Sequence, residues 1–318
     1  MTRLLSAVLI VLACLSAVEA AEVALLKSAD VPYYDQAIQA FRSSLPSETK
    51  ITEYNLAGNL IEGRKIAKAL RAAPPDLVLA VGLKAALSAK LELVDTPTLF
   101  CLVLNPESHG LPGPKMAGIL MQISPSSQLA SIQTLAPRVH RIGLLYDDDR
   151  TKDFVNEARR LARRAGLELI ATPVHGSSEV PRALRALLPQ IDLFWLIQDQ
   201  TVVTEDSLSF ILATTLESKI PVFGFSPTLV QQGALGALAV NAWDIGIQAG
   251  RLGAAILRGE SMPRPALQAP HKPQLAINLN SAEYFGLSPS KDVLRMATLL
   301  YGGPGALAQT ENKKDLVP

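Results

Sequence analysis

The sequence holds 318 residues, 48% of them hydrophobic, with 30 basic and 29 acidic side chains and a formal net charge of +1. That length accommodates two domains with cores of their own. The even charge balance excludes a nucleic-acid surface, which needs clustered positive charge.

The chain opens with Arg3, an apolar run over 4–18 and a Val18-Glu19-Ala20 site. A short basic region, an apolar core and a small residue at the cut make a secretory signal over 1–20, cleaved after Ala20, and place the mature protein in the periplasm or otherwise outside the cytoplasm. An alternative reads Val11-Leu12-Ala13-Cys14 as a lipoprotein site that leaves Cys14 lipidated. No later stretch reaches the roughly 18–20 apolar residues that span a bilayer. Of the two cysteines, only Cys101 remains after cleavage, so no internal disulfide is expected. Set in the apolar run 98–104, Cys101 reads as core filler.

From residue 22 onward, strand and helix alternate. A strand is predicted at 23–26, then a helix opened by Pro32 and carried through Ala37, Ile38 and Phe41 to near Pro46. A second strand follows at 51–54 and a helix at 58–73 with Leu60, Ile61, Ile66, Ala67 and Leu70 on one face, stopped by Pro74-Pro75. The fully apolar run 77–82, a helix at 83–93 and a strand at 98–104 complete the first block. After a Gly/Pro-rich loop at 109–115 and a short run at 117–123, Ser124-Pro125 caps a helix to Leu135. The pattern then restarts: strand 141–146, helix 151–165, strand 166–171, helix 179–188. Next come an apolar strand from Asp192 to Ile197, the polar elbow 198–201, an amphipathic helix 202–218, a strand at 220–226 and a small-residue segment 233–241. A helix at 243–257, a Pro-rich loop at 262–273, a strand at 275–279 and a helical stretch at 281–285 follow. Strands buried on both faces and joined by crossover helices predict parallel sheets, and two such blocks predict two α/β lobes.

In open parallel sheets, ligands sit outside the carboxyl ends of the strands. A polar or aromatic group recurs there: Ser28 and Tyr33; Gly82 and Lys84; Asn105; Tyr146 and Asp147; Asp199, Gln200 and Thr201; Phe225 and Ser226; Asn241. Taken singly these are turn residues and helix caps. Taken together they describe a polar cleft with aromatic walls for a small ligand, where helix N-termini after Gly82 and Ser226 can receive a carboxylate. No Gly-x-Ser-x-Gly elbow, phosphate loop or dinucleotide fingerprint occurs. The four histidines, at 109, 140, 175 and 271, lack metal-ligand spacing, so neither metal nor cofactor is expected. Asp147-Asp148-Asp149 reads as helix-capping and solvated acids. The paired arginines Arg159-Arg160 and Arg163-Arg164 read as a solvated helix face.

The strings Thr201-Val-Val, Lys219-Ile-Pro-Val-Phe-Gly, Leu229-Val-Gln-Gln-Gly-Ala-Leu, Gly246-Ile-Gln-Ala-Gly-Arg, Arg141-Ile-Gly-Leu-Leu-Tyr and Ala276-Ile-Asn-Leu-Asn, in that spacing, resemble the substrate-binding proteins of ABC transporters, in the family that includes tryptophan and tyrosine binders. The resemblance runs from the first strand to about Leu287. It implies a type I periplasmic binding protein fold: two Rossmann-like lobes with parallel sheets joined by a hinge of three crossing segments. Lobe one would comprise 21–120 plus about 242–272, lobe two 121–241 plus about 273–300, and a tail 301–318. It further implies a monomer without catalysis that encloses one small polar or aromatic solute and docks on a membrane permease. A nucleophile-base pair, which an enzyme of this class would need, is missing. The pocket departs from the family pattern, which commonly has Gly-Thr-Pro-Ala-Ala where Gly82-Leu83-Lys84 stands, Asp-Pro at Asn105-Pro106 and Asp-Asn-Thr at Asp199-Gln200-Thr201. Leu83 thereby lacks a hydroxyl, and Lys84 offers a charge instead. The alternative expectation is a sensor subunit that uses the same cleft to signal to a membrane receptor or kinase, since fold alone does not fix function.

Overall fold

The computed structural model describes residues 20–303. The predicted leader, residue 20 apart, Cys14 and everything beyond residue 303 lie outside the described residues. In chain order the first segment gives β1 (Glu22–Lys27), α1 (Pro32–Ser43), β2 (Lys50–Asn55), α2 (Leu60–Ala72), β3 (Leu77–Val81), α3 (Leu83–Glu92), β4 (Thr98–Cys101) and β5 (Met116–Ile119). The second gives α4 (Pro125–Leu135), β6 (Arg141–Tyr146), α5 (Asp148–Arg164), β7 (Glu168–Pro173), α6 (Val180–Leu187), β8 (Leu193–Trp195), α7 (Glu205–Glu217), β9 (Val222–Gly224), α8 (Pro227–Gln231) and β10 (Gly236–Ala239). The chain continues through α9 (Ala242–Leu257) and β11 (Leu267–Gln268), then β12 (Gln274–Asn278), α10 (Leu279–Tyr284), α11 (Lys291–Met296) and β13 (Leu299–Tyr301).

These elements form two compact units. Of the described residues, those from 20 to 121 with 242–268 make unit one, and 122–241 with 269–303 make unit two, so the chain passes between them three times. Unit one holds a six-stranded sheet in the order β11-β5-β4-β3-β1-β2, parallel throughout. Unit two holds seven strands in the order β13-β12-β10-β9-β8-β6-β7. There β12 runs antiparallel to β10, a departure from the purely parallel sheet that the sequence pattern predicts.

The central strands of each sheet are buried on both faces because they send apolar residues alternately to opposite sides. In unit one, Leu77, Leu79 and Val81 face Ala37, Ile38 and Phe41 of α1 and Ala242, Ile245 and Ala249 of α9. Val78 and Ala80 face Ala67 and Leu70 of α2 and Ala85, Ala86 and Ala89 of α3. In unit two, Ile142, Leu144 and Trp195 pack with α4 and α5, whereas Leu145 and Phe194 pack with α6 and α7. Cys101 lies in the unit-one core, where burial pushes its thiol up to about 12.

Several expectations need correction. Ile61, placed by the pattern on the buried face of α2, is 80% exposed; the helix is capped by Asn59, whose side chain accepts from the N–H of Ile61 and Glu62, and its buried face falls on Gly63, Ala67 and Leu70. The strand predicted over 98–104 stops at Cys101, because Leu102 at φ 56° and Asn105 at φ 44° turn left-handed and break the ladder. The helix predicted from 202 begins at Glu205, fixed by a reciprocal box in which Ser207 N–H donates to Thr204 Oγ1 and Thr204 N–H to Ser207 Oγ. The Pro-rich loop contains the short strand β11, and Tyr301, assigned to the tail, ends β13.

Glycines let α9 pack closely on α1. A Cβ at Gly246 would lie 2.1 Å from the Ala37 carbonyl oxygen, and one at Gly250 would lie 2.4 Å from Ser44 Cβ. Gly246→Ala is expected to lower stability by roughly 1–3 kcal/mol through overpacking against backbone, measured by chemical denaturation, whereas Ile61→Ala should leave the midpoint nearly unchanged.

Candidate functional site

In unit one, the carboxyl ends of β1 and β3 meet the N-terminus of α3. Ser28 N–H extends the ladder to Val81 O at 2.9 Å, and Ser28 Oγ accepts from Ala85 N–H at 3.0 Å. Gly82, at φ 85°, closes this corner: a Cβ there would lie 2.6 Å from the Tyr34 hydroxyl and 2.7 Å from Ser28 Oγ. Only glycine tolerates both the left-handed backbone and that approach. As the N-cap residue it has no side chain to cap α3, so the first N–H groups of the helix, at Leu83 and Lys84, face the corner with the Ser28 and Tyr34 hydroxyls. Burial pushes the Tyr34 hydroxyl pKa upward, as it does that of the half-buried Tyr33. Tyr34 escaped the strand-end pattern, which points to Tyr33; the signal for it is its place on the same first turn.

The charges at this edge are organised by Lys27, which the sequence reading also missed. Its ammonium lies 2.8 Å from Asp30, 3.3 Å from Asp35 and 3.3 Å from Glu53, and these carboxylates, Asp30 foremost, hold its pKa well above the ordinary lysine value. The Lys84 ammonium donates to the Gly58 carbonyl and tethers the loop before α2. Asn105 sits four residues past the end of β4, where its carbonyl accepts from Ser108 and starts a single 3-10 turn.

In unit two, β6 and β8 end in a knot of side chains. Asp199, 1% exposed, accepts from Asp147 N–H at 2.8 Å and Thr151 Oγ1 at 2.6 Å through one oxygen. Its other oxygen accepts from the N–H groups of Thr201 at 2.9 Å and Val202 at 3.2 Å. The carboxylate is therefore held by four donors of its own chain, which fix Asp147 and Thr201 around it. Asp147 caps α5 through Asp149 N–H at 3.0 Å and accepts from Thr201 Oγ1 at 2.5 Å. The Thr201 hydroxyl first, and then the Asp149 N–H, lower its pKa. Arg150, not foreseen from the sequence, reaches Asp147 at 3.5 Å and donates to Gln200 Oε1 at 3.2 Å, so Gln200 and Thr201 stand at the rim and the two acids behind them.

The other expected residues divide. Tyr146 is buried and faces α5, because β6 sends alternate residues to that side; Arg159 lies over its ring at 5.5 Å and donates to its hydroxyl at 3.4 Å. It builds the core and gives the strand edge no aromatic wall. Phe225 is half-buried on the α6 and α7 side. Ser226 caps α8, accepting from Leu229 N–H at 3.4 Å. That helix has five residues and begins with Pro227, which lacks an N–H, so it offers far less to an anion than α3 does. Asn241 is half-buried at the passage into α9. Among the described residues no group of three or more His, Cys, Asp or Glu is placed to hold a metal ion. A groove of ≈ 440 Å³ beside β2 is lined by Glu22, Lys50 and Pro75 at the amino ends of the strands, away from these clusters.

Comparison with known proteins sets these edges in a family. The family described as ABC transporter substrate binding protein matches residues 37–300. A tyrosine-binding protein of Clostridioides difficile (strain R20291) is 25% identical over 246 residues, covering 73% of this chain and 71% of the relative. The ligand-free, open structure of a substrate binding protein with adhesive properties from Clostridium difficile aligns with a TM-score of 0.75 and 21% identity, over 89% of this chain and 100% of that one. An ABC domain in complex with L-Trp from Streptococcus pneumonia aligns with a TM-score of 0.59 and 22% identity, over 88% and 99%.

Two outcomes are expected of the unit-two knot. Asp199→Ala leaves four donors unpaired and should cost at least about 2 kcal/mol, read as a lowered denaturation midpoint. A carboxylate whose folded pKa is depressed contributes stability above its unfolded pKa of about 3.9 and loses it as pH falls through the folded value. Stability should therefore fall below about pH 4, and Asp147→Asn should show a smaller loss between neutral and acid denaturation curves.

Proposed function

Because the chain belongs to the ABC transporter substrate-binding protein family, we propose that it is the extracytoplasmic solute-capturing component of an ABC importer, acting without catalysis. The observation that carries this reading is the unit-one corner, where two hydroxyls and the start of α3, which receives no cap from its own N-cap residue, converge on Gly82. Backbone N–H groups at a helix N-terminus receive a carboxylate without a basic side chain. The Streptococcus structure holds L-Trp and the Clostridioides relative is a tyrosine binder; both solutes join a carboxylate to an aromatic body. In this chain the carboxylate rests at Leu83 and Lys84 with Tyr34 and Ser28, and the Gln200, Thr201 and Arg150 rim of unit two supplies the remaining polar contacts.

The solute is captured between the two units, which close on it by bending at the three passages near 121, 241 and 268. The closed form is what a membrane permease distinguishes from the empty one, so solute binding is coupled to docking through a difference in affinity for two states. Export follows from the predicted leader; among the described residues no helix is long and apolar enough to cross a membrane.

Calorimetric titration with amino acids and their deaminated analogues tests the corner. Tyr34→Phe removes one hydroxyl and should weaken the best-binding solute about tenfold with an unchanged melting temperature; equal affinity in both proteins would remove the corner from the site. Small-angle scattering on the same solution should show a smaller radius of gyration with solute than without. Binding heat with an unchanged radius would remove hinge closure.

A further inference from the structure

Unit one holds a second aromatic residue of interest, Trp243, which the strand-end pattern did not include. Its position follows from the register of α9 on α1. A Cβ at Gly246 would meet Ala37 and Ala40, one at Gly250 would meet Phe41 and Ser44, and one at Gly253 would meet Leu45 3.6 Å away. The two helices therefore run side by side in the same direction, residue for residue. Trp243 precedes Gly246 by three positions and Gly250 by seven, which puts it on the same face of α9. One turn back along α1 from Ala37 lies the first turn, Pro32, Tyr33 and Tyr34. Side chains on a helix lean toward its N-terminus, so Trp243 is carried over that first turn, at the carboxyl edge of the sheet where Tyr34 meets Gly82. Its helix neighbours Ala242 and Ile245 are buried, whereas Trp243 is 45% exposed.

We propose that Trp243 is a solute-contacting and specificity-determining residue: with the first turn of α1 it forms the apolar wall of the unit-one corner, and it selects a solute whose carboxylate at α3 is joined to a planar aromatic body. The inference rests on the solute-binding reading above. Ring faces stack on indole in offset or tilted geometry, and indole takes up apolar surface without losing its N–H. Tyr146, buried against Arg159, supplies no such surface in unit two.

The protein contains its own control. Of the two tryptophans, Trp195 is fully buried, donates its Nε1–H to Gln128 Oε1 at 2.9 Å and lies 5.7 Å from Phe154. Its emission should be insensitive to an aqueous quencher and to solute, so any solute-dependent change belongs to Trp243. The experiment titrates L-tyrosine, L-phenylalanine and 3-phenylpropionate, with L-leucine and succinate as non-aromatic probes, following heat and tryptophan emission under excitation that spares tyrosine. The expected result is that at least one aromatic probe binds, shifts the emission and protects it from iodide quenching. Trp243→Leu should abolish the emission change and weaken that probe about tenfold, while Trp243→Phe should stay within about threefold because a ring remains. An aromatic probe that binds Trp243→Leu and the unchanged protein equally, or binding by the non-aromatic probes alone, overturns the inference and leaves the solute-binding reading standing. Heat from none of the five probes overturns the aromatic selection and counts against the solute assignment as well.

Discussion

Parallel strand pairing is the constraint on which the rest depends. It sends every carboxyl end of a sheet to one edge and starts each crossover helix there, so hydroxyls, backbone N–H groups and helix dipoles accumulate without any motif to mark them. In unit one this brings Ser28, from the end of β1, onto the first turn of α3, more than fifty residues along the chain. In unit two it brings Asp147 and Asp199 together from β6 and β8. Even the antiparallel β12 leaves this arrangement intact, because it lies on the far side of β10 from β9, β8 and β6.

The two edges use their polar groups differently. Unit two spends its acids internally: Asp199 is saturated by four donors and Asp147 is held by Thr201, Asp149 and Arg150. A buried carboxylate with a full complement of donors gives rigidity to the loop that carries Gln200 and Thr201, and rigid supports are what a solute rim needs. In unit one Gly82 gives the helix it precedes no side-chain cap, and the Ser28 hydroxyl from another strand takes the Ala85 N–H. On the proposed reading, one edge anchors the solute's carboxylate and the other braces its polar rim.

Much of this architecture was legible from the chain. Apolar runs such as Leu77-Val-Leu-Ala-Val read as strands because strands covered on both faces carry no polar alternation. Boundaries failed where apolar residues continue past the ladder, as Val103 and Leu104 do after the left-handed Leu102. A run of five residues has no readable direction, so the reversal of β12 could not be seen. Within the site, positions were legible and roles were not. Tyr146 ends β6 as expected and Asp199 follows the end of β8 by four residues, yet which partners surround them depends on Thr151, Arg159 and Thr201, brought by other elements. Tyr34 was missed because its approach to Gly82 joins two separate segments, which the spacing within a single segment does not encode.

The central claim is that one solute is held at the carboxyl edges of both sheets. Amide hydrogen exchange, with and without a saturating aromatic amino acid or its deaminated analogue, addresses it directly, because exchange reads each backbone segment separately. The account expects slowed exchange at residues 82–85 in unit one and 199–203 in unit two, appearing together at the same solute concentration. Protection confined to the groove beside β2, or to one edge with the other unchanged, would contradict it.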